Sequence, residues 1–233
     1  MKALLLTVTL STLLAGQTTF ASKAKNLSDT TIVAFEIRDV TDQYPEPVFE
    51  TFANIQNLGA VAVQLTAADV VVDKIINIGT KVWNVLDNGR PAYNFKNMQA
   101  NALPQGASRW NQLQRWSSPV SRVYSAVGTN IFGVEIARFD YRLILLAGGD
   151  VGGVGRYIGY ATVHPMTVNV PFLTALDAEV NIGSIYNTGT AKNPVAGMIM
   201  NITLKSTSKI PFAPYLQSGQ SITLDGNGNI RAM

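Results

Sequence analysis

Few side chains in this sequence are of types that make or break covalent bonds, and their spacing narrows the choice. Among 233 residues there is one histidine, His164, and no cysteine. A single imidazole excludes multi-histidine metal centres, and the absence of thiols excludes cysteine nucleophiles and thiolate metal sites. His164 sits in Thr162-Val163-His164-Pro165-Met166, a strand-like stretch broken by proline, and reads as structural. No Gly-x-Ser-x-Gly elbow occurs. Residues 148–155 (Gly-Gly-Asp-Val-Gly-Gly-Val-Gly) invite comparison with a phosphate cradle. A cradle must open into a helix whose N-terminus faces the anion, whereas Arg156-Tyr157-Ile158-Gly159-Tyr160 follows and reads as strand, so the glycines predict a hairpin turn. Asp225-Gly226-Asn227-Gly228-Asn229 alternates oxygen ligands as a calcium loop does, but Ile230 stands where that loop requires glycine and no bidentate acid follows. A tight turn is the expectation there. Catalytic residues, metal ligands and cofactors are accordingly assigned to none of these positions.

Acidic side chains leave one enzymatic alternative open. Asp39, Asp42, Glu46 and Glu50 crowd a proline-bearing segment, and Asp140, Asp150, Asp177 and Glu179 follow downstream. A glycan-active hydrolase needs two such carboxyls facing one cleft, about 5–9.5 Å apart.

The least ordinary motif is Arg109-Trp110-Asn111-Gln112-Leu113-Gln114-Arg115-Trp116, which holds two Arg-Trp pairs. Indole beside guanidinium suits sugar rings, anionic headgroups or a protein hot spot. Equally, Trp110, Leu113 and Trp116 at steps of three suit one side of a short helical plug. Arg109, Trp110, Arg115 and Trp116, joined by Arg156 and Tyr157 after the glycine run, are the candidate binding residues.

Elements must position these groups. Residues 30–37 (Thr-Thr-Ile-Val-Ala-Phe-Glu-Ile) have the β-branched and aromatic content of a strand. Thr66-Ala67-Ala68-Asp69 resembles a helix-capping box, and Val71, Ile75, Ile78, Val82 and Val85 recur at steps of four and three. That spacing predicts an amphipathic helix over 67–86, stopped by Asn88-Gly89-Arg90-Pro91 and allowed a close approach at Gly79. From residue 120 the period turns towards two, giving strands over 120–127, 131–147, 156–170, 174–186, 195–207, 221–224 and 229–232. Short turns without helical crossovers predict a mainly β protein, an antiparallel sandwich or Greek-key meander with one helix, forming a single domain over 22–233.

Compartment and charge bound the partners. Met1-Lys2, an apolar run to Ala15 and the small residues around Ala21 have the order of a secretory signal peptide, with cleavage expected before Ser22. Gln17 stands where a lipoprotein box would need cysteine. No later stretch reaches the roughly 20 apolar residues of a membrane helix. A transmembrane barrel shares the strand pattern, but the terminal Ile230-Arg231-Ala232-Met233 lacks that class's aromatic end. Secreted or periplasmic location is the expectation, with 47% apolar residues giving burial enough to fold without disulfides. Residues 22–87 carry nine acids and five bases, residues 88–233 twelve bases and six acids, so the two parts stand at −4 and +6. Mutual neutralisation on packing is the plainer account, since no Lys/Arg run appears. Export and a total charge of only +3 speak against nucleic acid. An exported binding or envelope component, with an envelope glycan, an anionic lipid or another protein as partner, is the functional expectation; the hydrolase and a membrane-active β protein are the rivals.

Overall fold

In the computed structural model, residues 30–45, 63–209 and 215–233 are described. The leader expected over 1–21, together with Glu46 and Glu50, lies outside them.

Strands dominate because β-branched and aromatic residues alternate with polar ones along most of the sequence. In chain order they are β1 (Ala34–Asp39), β2 (Val71–Ile76), β3 (Val82–Asp87), β4 (Arg90–Pro91), β5 (Ala100–Gln105), β6 (Val120–Thr129), β7 (Glu135–Val151), β8 (Val154–Asn169), β9 (Thr174–Asn187), β10 (Ala196–Ser208), β11 (Leu216–Asp225) and β12 (Ile230–Ala232). They form two six-stranded antiparallel sheets, ordered β1-β6-β7-β8-β5-β2 and β12-β11-β10-β9-β3-β4. The protein is a mainly β sandwich, as the sequence pattern requires.

Alternation decides what lies between the sheets. Leu143 and Leu145 of β7 and Ala161 and Val163 of β8 meet Leu176, Ala178 and Val180 of β9 and Met198, Met200, Ile202 and Leu204 of β10 in one buried layer. Phe139 and Tyr141 pack with ring centroids 5.1 Å apart, and Tyr141 stacks on Tyr124 at 5.7 Å. A buried phenol needs a polar partner. The Tyr141 hydroxyl donates across the core to Gln220 Oε1 of β11 at 2.9 Å, tying one sheet to the other.

The helix expected over 67–86 does not form; the segment is β2, a corner and β3. Three members of its supposed buried stripe, Val71, Ile78 and Val82, are exposed. Two physical causes account for the misreading. Only the reach-back half of the capping box exists: Thr66 N–H and Oγ1–H donate to Asp69 Oδ2 at 2.8 and 2.7 Å, while Asp69 N–H donates to the Thr66 carbonyl at 3.0 Å, closing a single turn, after which the β-branched run Val70-Val71-Val72 favours extended backbone. In addition, the pairing register shifts between Asn84 and Leu86 and between Val71 and Ile75. A bulge interrupts the period of two, so Trp83, Val85 and Leu86 all turn inward and imitate helical spacing. Gly79 does make a close approach, though at the corner between the sheets: a Cβ there would come within 2.5 Å of the Gln99 carbonyl oxygen.

Turns follow the glycine and Asx chemistry. Gly152 and Gly153, both at positive φ, join β7 to β8 in a two-residue hairpin, tighter than the eight-residue turn expected. Asp225 Oδ1 accepts N–H bonds from Asn227 and Asn229 at 2.8 and 3.1 Å, closing the β11–β12 turn.

Strand and helix readings of residues 82–85 predict different outcomes for Val82 and Val85, which a helix would place on one face. Val82 is 50% exposed and Val85 fully buried. Val82→Ser should change stability by less than about 0.5 kcal/mol. Val85→Ser should cost about 2–4 kcal/mol in chemical denaturation.

Candidate functional site

The Arg-Trp segment joins β5 to β6 and lies across the outer face of the first sheet. Its centre is one turn of 3-10 helix, Trp110–Gln112. The Gln112 side-chain oxygen accepts from Ser108 N–H, Ser108 Oγ–H and Arg109 N–H at 2.8, 3.0 and 2.9 Å, which satisfies the donors that so short a turn exposes. Leu113 then drops into the main core. Gln114 and Asp150 exchange both backbone hydrogen bonds, at 2.9 and 3.0 Å, fastening the segment to the end of β7.

Arg115 follows at φ +55, in the left-handed region that costs a non-glycine residue about 1–2 kcal/mol. An ion pair holds it there. The guanidinium grips Asp150 with both Nε, at 2.6 Å from Oδ2, and Nη2, while Asp150 Oδ1 also accepts Gly153 N–H at 2.8 Å. The carboxylate is nearly buried and the guanidinium half-exposed, so the pair is a hinge pin at the surface rather than a core bridge.

Trp116 is seated by glycine. A Cβ on Gly149 or Gly159 would meet the indole at 2.5 or 2.8 Å, so adjacent strands β7 and β8 are stripped of side chains beneath the ring. Trp110 meets Trp116 edge to face, with centroids 6.0 Å apart and planes at 78°. The two indoles cover Ile144, Leu146 and Tyr160, a small apolar cluster separate from the main core. Beside them opens a cleft of about 510 Å³ lined by Gln64, Trp110, Asn111, Leu113, Gln114, Arg115 and Trp116. Asn111 Oδ1 and Trp116 Nε1 are buried there without a hydrogen-bond partner.

Of the six candidate residues, the fold thus brings together Trp110, Arg115 and Trp116. Arg109 is exposed beside them and does not line the cleft. Arg156 is exposed where β8 meets the loop before β10, its N–H on the Pro194 carbonyl at 2.9 Å. Tyr157 must be withdrawn as a surface contact: it is fully buried, and its hydroxyl donates to the Val72 carbonyl at 2.7 Å. Burial pushes that phenol's pKa up. Plug and cleft readings of the segment merge, since Leu113 and one face of Trp116 are packed while the cleft side stays accessible. Gln64 was invisible in the sequence, because it arrives from 46 residues before Trp110 with no motif of its own. Asn111 and Gln114 lay within the motif and are brought to notice by their place in the lining.

Carboxylates elsewhere are held by local partners. Asp39 Oδ1 accepts from Thr41 N–H at 2.9 Å, Asp177 from Asn88 N–H at 2.8 Å, and Glu179 lies 3.8 Å from Lys205. Asp140 is buried and accepts from the Tyr44 hydroxyl at 2.8 Å, a bond that raises the Tyr44 pKa. Among the described residues no three His, Cys, Asp or Glu side chains converge as a metal would require. The acidic and basic parts of the sequence both contribute strands to each sheet, yet of the five close ion pairs among described residues Arg122–Asp39 alone joins one part to the other. Comparison with family models, curated proteins and solved structures returns no match.

His164 is half-buried on β8, with Phe95 edge-on at 5.8 Å and Nε2 without a partner. Burial, reinforced by Lys96 and Arg142, holds its pKa below the ordinary 6.5. The unfolded chain therefore takes up this proton first as pH falls, so the group's stability contribution is intact above the unfolded value and lost below it. His164→Phe should remove that component, flattening the decline in unfolding free energy between about pH 7 and pH 5. A second substitution probes the seat of Trp116. Gly149→Ala should cost about 1–3 kcal/mol and alter tryptophan emission, because the methyl would meet the Trp116 indole at 2.5 Å and displace it.

Proposed function

We propose that this protein is an exported, non-catalytic binding component of the cell envelope that holds a glycan segment in the Trp110–Trp116 cleft. The lining chemistry carries the reading. Sugar rings present apolar C–H faces and a rim of hydroxyls, which are matched respectively by indole and by groups that both donate and accept. Here two half-buried indoles stand beside the carboxamides of Gln64, Asn111 and Gln114 and the guanidinium of Arg115. A volume of about 510 Å³ falls within the range of small-ligand sites and suits a short saccharide segment. Rigidity supports it too. The left-handed Arg115, its grip on Asp150 and the glycine seat of Trp116 fix the lining before a ligand arrives, which lowers the ordering cost of binding. Export is part of the proposal and rests on the order of basic, apolar and small residues over 1–21.

Titration with solubilised peptidoglycan fragments and with envelope polysaccharide tests the reading. Saturable binding is expected to one of them. Trp110→Ala should weaken it about tenfold or more, and Asn111→Ala or Gln114→Ala several-fold, with melting of the two amide variants unchanged. Absence of saturable binding to either material, or an affinity indifferent to both amide substitutions, would falsify it.

A further inference from the structure

We propose that the end of the sandwich formed by the β6–β7 and β8–β9 connections is a membrane-docking surface that inserts Phe132 and Phe172 into the interfacial layer of a lipid bilayer. Register places both connections together. Thr129 pairs with Glu135, Arg138 with Asn169, and Ser208 with Thr174, so the tip at residues 130–134 and the turn at residues 170–173 leave the sheets at one end. On them Ile131, Phe132, Val134, Phe172 and Leu173 are all exposed, Phe132 at 65% and Phe172 at 85%. Large apolar side chains scattered singly on a surface need no explanation, but five on two adjacent tips do.

Neither tip is loose. Asn130 Oδ1 accepts the N–H groups of Phe132 and Val134, both at 3.0 Å, and Gly133 N–H donates to the Asn130 carbonyl at 2.9 Å. The turn stands clear of the rest of the molecule, since a Cβ on Gly133 would meet nothing within 4 Å. In the other connection Leu173 is held at φ +66, a conformation penalised for a branched side chain, by its carbonyl's bond from Lys209 N–H at 2.7 Å and by Thr174 N–H on Pro171 at 3.1 Å. Strain retained in an exposed turn, with apolar side chains directed at water, points to a surface used with a partner.

Shape and charge favour a bilayer as that partner. The side chains project from tips of separate connections and line none of the clefts described for this fold, so a rigid protein would need matching holes, whereas acyl chains and headgroups yield around them. Phenylalanine and tyrosine also suit the interfacial layer, and Tyr93, fully exposed, stands at the same end. Tyr93, Arg90 and Lys209 line a depression of about 500 Å³ there with Asp87, Asn88, Pro91 and Ala92. Arg90 and Lys209 make no ion pair among the described residues, while Glu135 nearby is engaged by Arg138 at 2.8 Å. Arg90 and Lys209 are the cationic side chains lining that depression and offer two contacts to an anionic headgroup, with Asp87 in the lining and Asp177, which accepts Asn88 N–H at 2.8 Å, at its edge. This surface lies at the far end of the β7–β8 ladder from Gly149 and the Trp110–Trp116 cleft, and the proposal is independent of what the cleft holds.

Sedimentation of the full chain with two kinds of vesicle tests it: phosphatidylethanolamine with phosphatidylglycerol, and phosphatidylcholine alone. The wild type should sediment with both, more strongly with the first. Phe132→Ser and Phe172→Ser should each weaken binding about tenfold while leaving the melting temperature unchanged, because both side chains are solvated in the free protein. Lys209→Gln should lower binding to the anionic vesicles alone. The proposal is overturned if the wild type sediments with neither vesicle, or if both serine variants bind as the wild type does. It is overturned equally if the wild type self-associates without vesicles and Phe172→Ser abolishes that, which would assign the surface to a second copy.

Discussion

The β7–β8 ladder is the contact on which the other features depend. It runs from Arg138↔Asn169 at one end to Val151↔Val154 at the other, and from Leu143 onward both faces of β7 are covered. Inward, Phe139, Tyr141, Leu143 and Leu145 meet the second sheet; outward, Ile144 and Leu146 are sealed by Trp110 and Trp116. Where a strand pair is buried on two sides its register matters, since a shift of one residue exchanges side chains between core and cover, and the shifts in this ladder fall at Asp140/Tyr141 and from Leu146 to Val151.

With no cysteine available, the sandwich relies on buried area and on cross-sheet polar ties such as Tyr141–Gln220. It also controls its outer surface. Segments between strands return to cover β8: the Thr162 hydroxyl donates to the Met98 carbonyl at 2.7 Å, and Phe95 packs on His164. The outer face of the first sheet is therefore a second, thinner layer built from connections rather than from strands, and the Trp110–Trp116 cleft is a gap in that layer. Cleft geometry consequently depends on strand glycines as much as on the tryptophans themselves.

Much of this was legible before any coordinates. Strands β6 to β10 and β12 begin and end within a few residues of where period-two alternation places them, and β11 only begins earlier, because long alternating runs bounded by Gly, Asn and Pro have few competing interpretations. Residues 67–86 misled for a reason that is itself physical. Periodicity reports which side chains are apolar, and a bulged strand pair that crosses from one sheet to the other places apolar residues at steps of one, two and three that sum to helical spacing. β-branched content was the better guide there, since Val70-Val71-Val72 and Ile75-Ile76 lose rotamer freedom in a helix. The candidate site was legible in part. Two Arg-Trp pairs announced the segment, but equal-looking pairs diverged: Arg115 found Asp150 across the fold, whereas Arg109 stayed in water, a difference that only long-range pairing decides.

The two ends of the ladder differ in chemistry in a way that alternation alone does not produce. At the β7–β8 turn, glycine, indole, carboxamide and guanidinium make a concave, polar-lined cleft; at the other end, convex turns carry phenylalanine and leucine. Seventeen residues of β7 at about 3.3 Å each put on the order of 50 Å between them, less what the bulges take up. Apolar side chains at the turns also gain nothing for the fold that polar ones would not, because they contact water in the free protein. Their exposure is what the membrane-docking proposal rests on, whereas the same residue types at Ile144 and Leu146 are explained by the tryptophans that cover them. The distinction between covered and uncovered apolar side chains on one continuous ladder is what separates a structural role from an interaction surface in this protein.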